Sequence, residues 1–161
     1  MKALSLWDPW GTLVAIGAKR YETRSWPTRH RGPLAIHVAA SWKPESADAI
    51  NHPVICATLA KAGINTPWML DGSPVSARDA KRYFPLGSII AVIDLLACIR
   101  MTDKINPPPA PEVAFGDFTF GRYAWRLADV RRLPEPIPCR GSRGLWDLPD
   151  DVEAKIRSQL G

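Results

Sequence analysis

The stretch Ser88–Ile99 constrains the architecture of this chain more than any other. It is apolar almost throughout, with Asp94 as its one charge, and it is rich in isoleucine and valine. Flanked by the turn sequence Pro85-Leu86-Gly87, such a run predicts a long strand, the most buried element of the fold. The longest uncharged apolar run, Leu86–Ile93, falls far short of the roughly 20 residues a membrane span needs. The first residues also lack the apolar stretch and small-residue cleavage site of a signal peptide, which predicts a cytoplasmic protein with no membrane contact.

A chain of 161 residues suits one domain, since domains run to about 100–200 residues. Apolar residues at 46% and charged residues at 23% exclude a largely disordered chain and a fibrous rod. The three cysteines are widely separated, form no CxxC and have no histidine at ligand spacing. They predict free thiols rather than a disulfide scaffold or a zinc site. No GxxxxGK[ST] and no GxGxxG is present, so neither metal nor organic cofactor is expected.

Around the buried strand, the other elements alternate between strand and helix. Ala3–Leu6, Tyr21–Trp26, Leu34–Ala39, Arg122–Leu133 and Gly144–Leu148 read as strands. A two-turn helix follows Asp8, with Asp8 as N-cap, Pro9 in the first helical position and Gly17 as its stop. Residues 42–84 form a helical insertion: Glu45–Ala62 interrupted at Pro53, a loop over Asn65–Pro74, and a helix over Ser76–Phe84. Residues 106–120 form a proline-rich and aromatic loop, in which Phe115–Phe118 reads as ordinary loop by default and as a mobile lid in the alternative. Asp150–Leu160 is a terminal helix. The expectation is a single α+β domain over 1–161: a small mixed β-barrel of five to six strands with peripheral helices.

Charge is unevenly distributed. The net charge is +5, and the first 43 residues alone account for it through Lys2, Lys19, Arg20, Arg24, Arg29, Arg31 and Lys43 against Asp8 and Glu22. An anionic partner is expected to meet this third of the chain. Within it, Gly17–Trp26 is dense in functional residue types. Strand alternation puts Glu22, Arg24 and Trp26 on one face and Tyr21, Thr23 and Ser25 on the other. Lys19, in the preceding turn, is free to lean over the same opening. An indole to stack, a carboxylate to accept an N–H and two cations to hold phosphate would suit a planar polar ligand. The plainer alternative is a same-face ion pair on an edge strand, with Lys19 solvated and Trp26 plugging the core.

The order of these residues resembles the ASCH domain family of the PUA-like superfamily. The resemblance rests on Pro9-Trp10, then Gly17, Lys19, Glu22 and Arg24 as Gly-x-Lys-x-x-Glu-x-Arg, then Arg31-Gly32-Pro33-Leu34 and His37-Val38-Ala39. It continues in Pro85–Ile90, Gly121–Trp125 and Gly144–Pro149. The resemblance implies a PUA-like barrel with a cleft beside the Gly-x-Lys-x-x-Glu-x-Arg turn and a nucleic-acid-binding role, with RNA favoured over DNA, or a nucleoside-like small molecule as ligand. It also implies an alternative, because some members resemble amidohydrolases of 4-acetylcytidine and others are ribonucleases. In that reading Lys19 and Glu22 are the catalytic pair. The threonine of the amidohydrolase pattern falls at Glu22 here, Thr23 is expected to face away from Lys19, and Asp94 is a loose match for the second acid.

The remaining candidates are positional. Arg29 and Arg31 lie in a basic loop that could track a phosphate backbone, and Arg122 could reach a phosphate. His37 either lines the cleft or is a satisfied structural histidine. Trp125 reads as core, and one of Trp7 and Trp10 is expected to wall the cleft. A partner-binding adaptor using the 42–84 insertion is the third possibility.

Overall fold

The computed structural model describes all 161 residues. Strand β4 (Ser88–Arg100) lies at the centre, between β3 (Gly32–Val38) and β5 (Tyr123–Pro138), and is antiparallel to both. Beyond β3 come β1 (Lys2–Leu6) and β6 (Leu145–Asp147), and beyond β5 comes β2 (Tyr21–Arg24). The six strands form one sheet in the order β2-β5-β4-β3-β1-β6. Strands β1 and β3 are parallel, so the chain between them must cross back, and helix α1 (Trp10–Ala15) with β2 makes that crossing.

The sheet curls because its longest ladder is irregular. The β4–β5 register shifts at Ile89/Ala91, Val92/Asp94 and Leu95/Ala97, and the β3–β4 register shifts at Ile36/His37. Each bulge bends its strand and deepens the local twist. The outcome is a mixed, strongly curled half-barrel whose outer strands are β2 and β6. Inside the curl, Leu4, Leu34, Ile36, Ile93, Leu95 and Trp125 pack with Val14 and Ala15 of α1. On the outer face, Ala3, Ala35, Ile89, Val92 and Ile137 lie under Val152 and Ile156 of α5 (Asp150–Leu160). The residues of β4 are thus divided between two cores, which is why its sequence is apolar throughout rather than every second residue.

The insertion forms a third cluster. Its helices α2 (Pro44–Asn51) and α3 (Pro53–Lys61) meet at Pro53 as expected. Ile50, Ile55, Leu59 and Phe84 close over Leu13 and Phe115, while Trp42 stacks on Phe84 and donates to the Val75 carbonyl at 3.0 Å. A helix of α1's length is unstable alone. It persists because Leu13 and Val14 are fully buried in two different clusters, each burial contributing about 1.5–3 kcal/mol.

Four local expectations are corrected. Asp8 is not the N-cap: Pro9 holds that place, although the Asp8 carboxylate still accepts from Thr12 N at 2.7 Å. Asn65–Pro74 is not all loop, because α4 (Pro67–Asp71) forms there and ends at left-handed Gly72. Ser76–Phe84 is not an α-helix and holds only a 3-10 turn at Ala80–Arg82. There Ser76 and Asp79 bond each other, closing a turn with the residues that would otherwise start a helix. Finally, β5 continues through Pro134, Pro136 and Pro138. Pro134 and Pro136 fall in the bulge between the Ala91–Arg132 and Ile89–Ile137 pairs, where the ladder does not call on their missing N–H groups. No helix is long and apolar enough to cross a membrane.

Candidate functional site

The turn after α1 sets the direction of every later side chain. Gly17 takes a left-handed φ of 78°, and Lys19 N bonds back to Leu13 O at 2.9 Å. Lys19 is thereby driven inward and is only 1% exposed. Its Nζ donates to Tyr21 O at 2.6 Å and Phe115 O at 2.7 Å, and lies 3.4 Å from Glu22 Oε2. Buried Glu112 clamps the same turn by accepting from Arg20 N and Tyr21 N at 2.8 and 2.9 Å.

Strand β2 then alternates as expected. Glu22, Arg24 and Trp26 all line a cleft of about 790 Å³. Glu22 Oε1 is 3.0 Å from Arg24 Nε, and Arg24 Nη2 donates to Ser5 O at 3.1 Å. Lysine, carboxylate and guanidinium therefore converge, but in a row. Lys19 lies behind Glu22 and borders a separate hollow of about 330 Å³, while Glu22 and Trp10 border both. The expectation that Lys19 leans into the main opening is corrected: its N–H groups have acceptors within the protein. Thr23 also borders the smaller hollow with Lys19, contrary to expectation, and its hydroxyl accepts from Asp117 N at 3.0 Å.

Three indoles wall the cleft. Trp7 and Trp10 both contribute, and Trp26 stands edge-on to fully buried Trp125 at 4.8 Å, so the core fixes its position. Ser5 and His37 lie beneath. His37 is 2% exposed, and both ring nitrogens have partners: Ser5 Oγ at 3.0 Å and Cys139 O at 2.9 Å. Burial lowers its pKa, outweighing the bond to the Cys139 carbonyl that raises it. A neutral ring facing a carbonyl at Nε2 must carry its proton there. His37 thus lines the cleft while serving as a satisfied structural histidine.

The opposite rim is the loop Cys139–Gly144, which brings Arg140 and Arg143 to the cleft. It lies directly on His37 and Ser5. A Cβ at Gly141 would fall 2.4 Å from His37 Cε1 and 2.8 Å from Ser5 Oγ, so only glycine permits this approach. Trp146 Nε1 donates to the same Ser5 hydroxyl at 3.2 Å. Sequence reading missed this rim; its signal was two arginines set among glycines just before the last strand.

Other predicted residues lie elsewhere. Arg29 and Arg31 are exposed and do not line the cleft; Arg31 Nη1 donates to Thr28 O and His30 O of its own loop. Arg122 binds Asp117 and Thr23 O instead of facing the cleft. Asp94 pairs with Arg131 at 3.1 Å. In the Phe115–Phe118 segment, Phe115 O accepts from Lys19 Nζ and Asp117 N donates to the Thr23 hydroxyl. No cluster of three or more His, Cys, Asp or Glu is placed to hold a metal ion. The cleft thus offers π-faces, three guanidinium groups and one buried carboxylate.

Comparison with known proteins gives this geometry a lineage. The ASCH domain pattern matches residues 4–106, well over half the chain. Over 157 residues the chain is 33% identical to mouse activating signal cointegrator 1, and over 158 residues 27% identical to the human protein. Those alignments take in 98% of this chain but 24% of each relative, so the chain spans about a quarter of their length. The crystal structure of ASCH from Zymomonas mobilis superposes with a TM-score of 0.51 at 14% identity, over 99% of this chain and 95% of that one. A point variant of the same protein superposes equally well, over 98% of its length. At that identity the likeness is one of fold. The match contains the whole Gly17–Arg24 turn, and the curled six-stranded sheet shares its fold with the solved ASCH structure. With motif, match and fold in agreement, the chain belongs to the ASCH domain family.

Proposed function

We propose that the protein is a nucleic-acid-binding module that takes a nucleobase or single nucleotide into the cleft, with RNA favoured over DNA. The observation that carries this reading is the gathering of Trp7, Trp10 and Trp26 with Arg24, Arg140 and Arg143 around the Glu22 carboxylate. Indole faces stack bases, guanidinium groups hold phosphate, and a carboxylate accepts base N–H groups. RNA is favoured because its loops present unstacked bases. Arg29 and Arg31, outside the cleft, remain available to the backbone of a longer strand, whereas Arg122 is held by Asp117. Lys19 serves as the anchor behind Glu22. The three free, partly exposed cysteines suit the reducing cytoplasm.

The hydrolytic alternative places Lys19 and Glu22 in catalytic roles. The bonds from Lys19 to two carbonyls and its contact with Glu22 count against it as a base.

Short single-stranded RNA and DNA, titrated at several salt concentrations and followed by tryptophan fluorescence, test the module. Binding should weaken log-linearly with salt, favour RNA, and be lost in Trp26→Ala. No binding to either polymer at low salt overturns the reading. Turnover of 4-acetylcytidine or RNA by the native chain, abolished in both Lys19→Ala and Glu22→Gln, replaces the module with an enzyme.

A further inference from the structure

A second hollow, of about 310 Å³, opens where the insertion meets the barrel, and it shares no residue with the main cleft. Its lining is aliphatic: Ile16 at the end of α1, Ile64 of the insertion, Ile90 of β4 and Leu133 of β5. Three cations stand around it, Lys81 and Arg82 from the 3-10 turn and Arg132 from β5, and no carboxylate lines it. All three are exposed. Arg82 has one loose partner, Asp79 at 3.7 Å, and Lys81 and Arg132 have none. The neighbouring Arg131, by contrast, is taken up by Asp94. Glu135 lies between two lining prolines but stays out of the hollow, and its own N–H bonds to Gln159 of α5. An aliphatic hollow ringed by cations of one sign suits an apolar group with negative charge beside it.

The walls narrow the class of partner. Phe84 is buried and already stacked on Trp42, so Tyr83 offers the one further aromatic ring. Without open π-faces the hollow lacks the stacking platform that a nucleobase needs. The cations come from two elements, so an extended segment carrying several carboxylates matches them better than one compact anion. Pro134 and Pro136 form part of the wall and have no N–H to donate, so a segment added there as a further strand would find its hydrogen bonds missing. What the hollow fits is a peptide held through its side chains. We propose that the insertion and β5 together form a docking site for an acidic protein segment, with one apolar side chain in the hollow and Asp or Glu residues beside it meeting Lys81, Arg82 and Arg132. Charge complementarity carries the proposal, and the main cleft takes no part in it.

Three fluorescein-labelled nonapeptides test the site by anisotropy on the whole native chain. One has a central leucine among glutamates, one has serine in place of the leucine, and one has lysines in place of the glutamates. The leucine–glutamate peptide should bind tightest. The serine peptide should bind at least about tenfold more weakly, for want of a buried apolar side chain, and the lysine peptide should not bind. Added salt should weaken both acidic peptides and preserve their ratio. The double substitution of Lys81→Gln and Arg132→Gln should weaken the leucine–glutamate peptide by about three- to tenfold, the size of two exposed charge contacts. It should leave the melting temperature unchanged, because both side chains are exposed and unpaired. Equal binding of the leucine and serine peptides, binding indifferent to the double substitution, or no acidic peptide bound at low salt overturns the proposal. So does a short single-stranded RNA whose affinity falls with the double substitution while the peptides do not bind, a result that assigns the hollow to the nucleic-acid interface. The peptide comparison on the native chain needs no variant, and its failure leaves the reading of the cleft, tested by Trp26→Ala, as it stands.

Discussion

Lys19 carries its ammonium into a site 1% exposed, surrounded by Tyr21 O, Phe115 O and the Glu22 carboxylate. A charge so placed stabilises the fold through its partners, and its removal takes a donor from both carbonyls and a counter-charge from Glu22. Loss of one member of a buried pair costs about 3–5 kcal/mol. Lys19→Met, which keeps the length and removes the charge, should therefore lower stability by about that much in urea unfolding. Arg24→Met should cost only about 1 kcal/mol, because Arg24 is more exposed and its Nε makes no aligned bond. A Lys19→Met protein as stable as the native one would show that the ammonium is dispensable, and with it the anchoring role assigned here. Glu112 and Lys19 hold the turn together: one accepts from its N–H groups, the other donates to its carbonyl.

Among the elements, the Cys139–Gly144 loop adds the most to the cleft relative to its length. It contributes Arg140 and Arg143 to a wall that otherwise has one guanidinium, and Gly141 lets it rest on His37. Both arginines are exposed and lie outside the hydrophobic cores. The double substitution of Arg140 and Arg143 by Ala should leave the melting temperature unchanged and weaken RNA binding. It should also flatten the dependence of log K on log salt by about 1.4, since each single-strand phosphate contact contributes about 0.7. An unchanged slope would remove this loop from the interface. The same contrast explains what could be read from the sequence. Ser88–Ile99 and Leu34–Ala39 declare themselves because their side chains face packed cores, and Asp150–Leu160 because one of its faces does. Glu22, Arg24 and Trp26 could be assigned to one side because alternation is a local rule. The direction of Lys19 could not, because it is fixed by a carbonyl 96 positions away. The arginine loop has no periodicity to read, and Ser76 with Asp79 caps a turn and a helix with the same chemistry.

At the scale of the whole molecule, α1 ties the barrel core, the insertion and the cleft together, and a titratable group lies beneath it. Asp8 is 0% exposed, and burial pushes its carboxyl up from 3.8 to about 7, against two bonds to Thr12 that lower it. A raised folded-state pKa means that the folded protein holds a proton the unfolded chain has released. The resulting stability is fully present below about 4 and is lost as pH rises through about 7. The shift corresponds to a loss on the order of 4 kcal/mol across that window. His37 works the other way: burial depresses its pKa, so its contribution is present above 6.5 and fades as pH falls through the lower folded value. The two oppose each other near pH 6, which makes the native profile alone ambiguous. Asp8→Asn isolates the first, since the amide oxygen still accepts from Thr12 N while the titration is gone. Urea midpoints of the native chain and Asp8→Asn at pH 5, 6, 7 and 8 should diverge progressively, with the native chain losing ground as pH rises. Parallel profiles would mean that Asp8 titrates as it does in the unfolded chain. Because α1 carries Trp10 into the cleft wall, the same rise in pH should loosen that wall. RNA affinity should then decline between pH 6 and 8 in the native chain and hold level in Asp8→Asn.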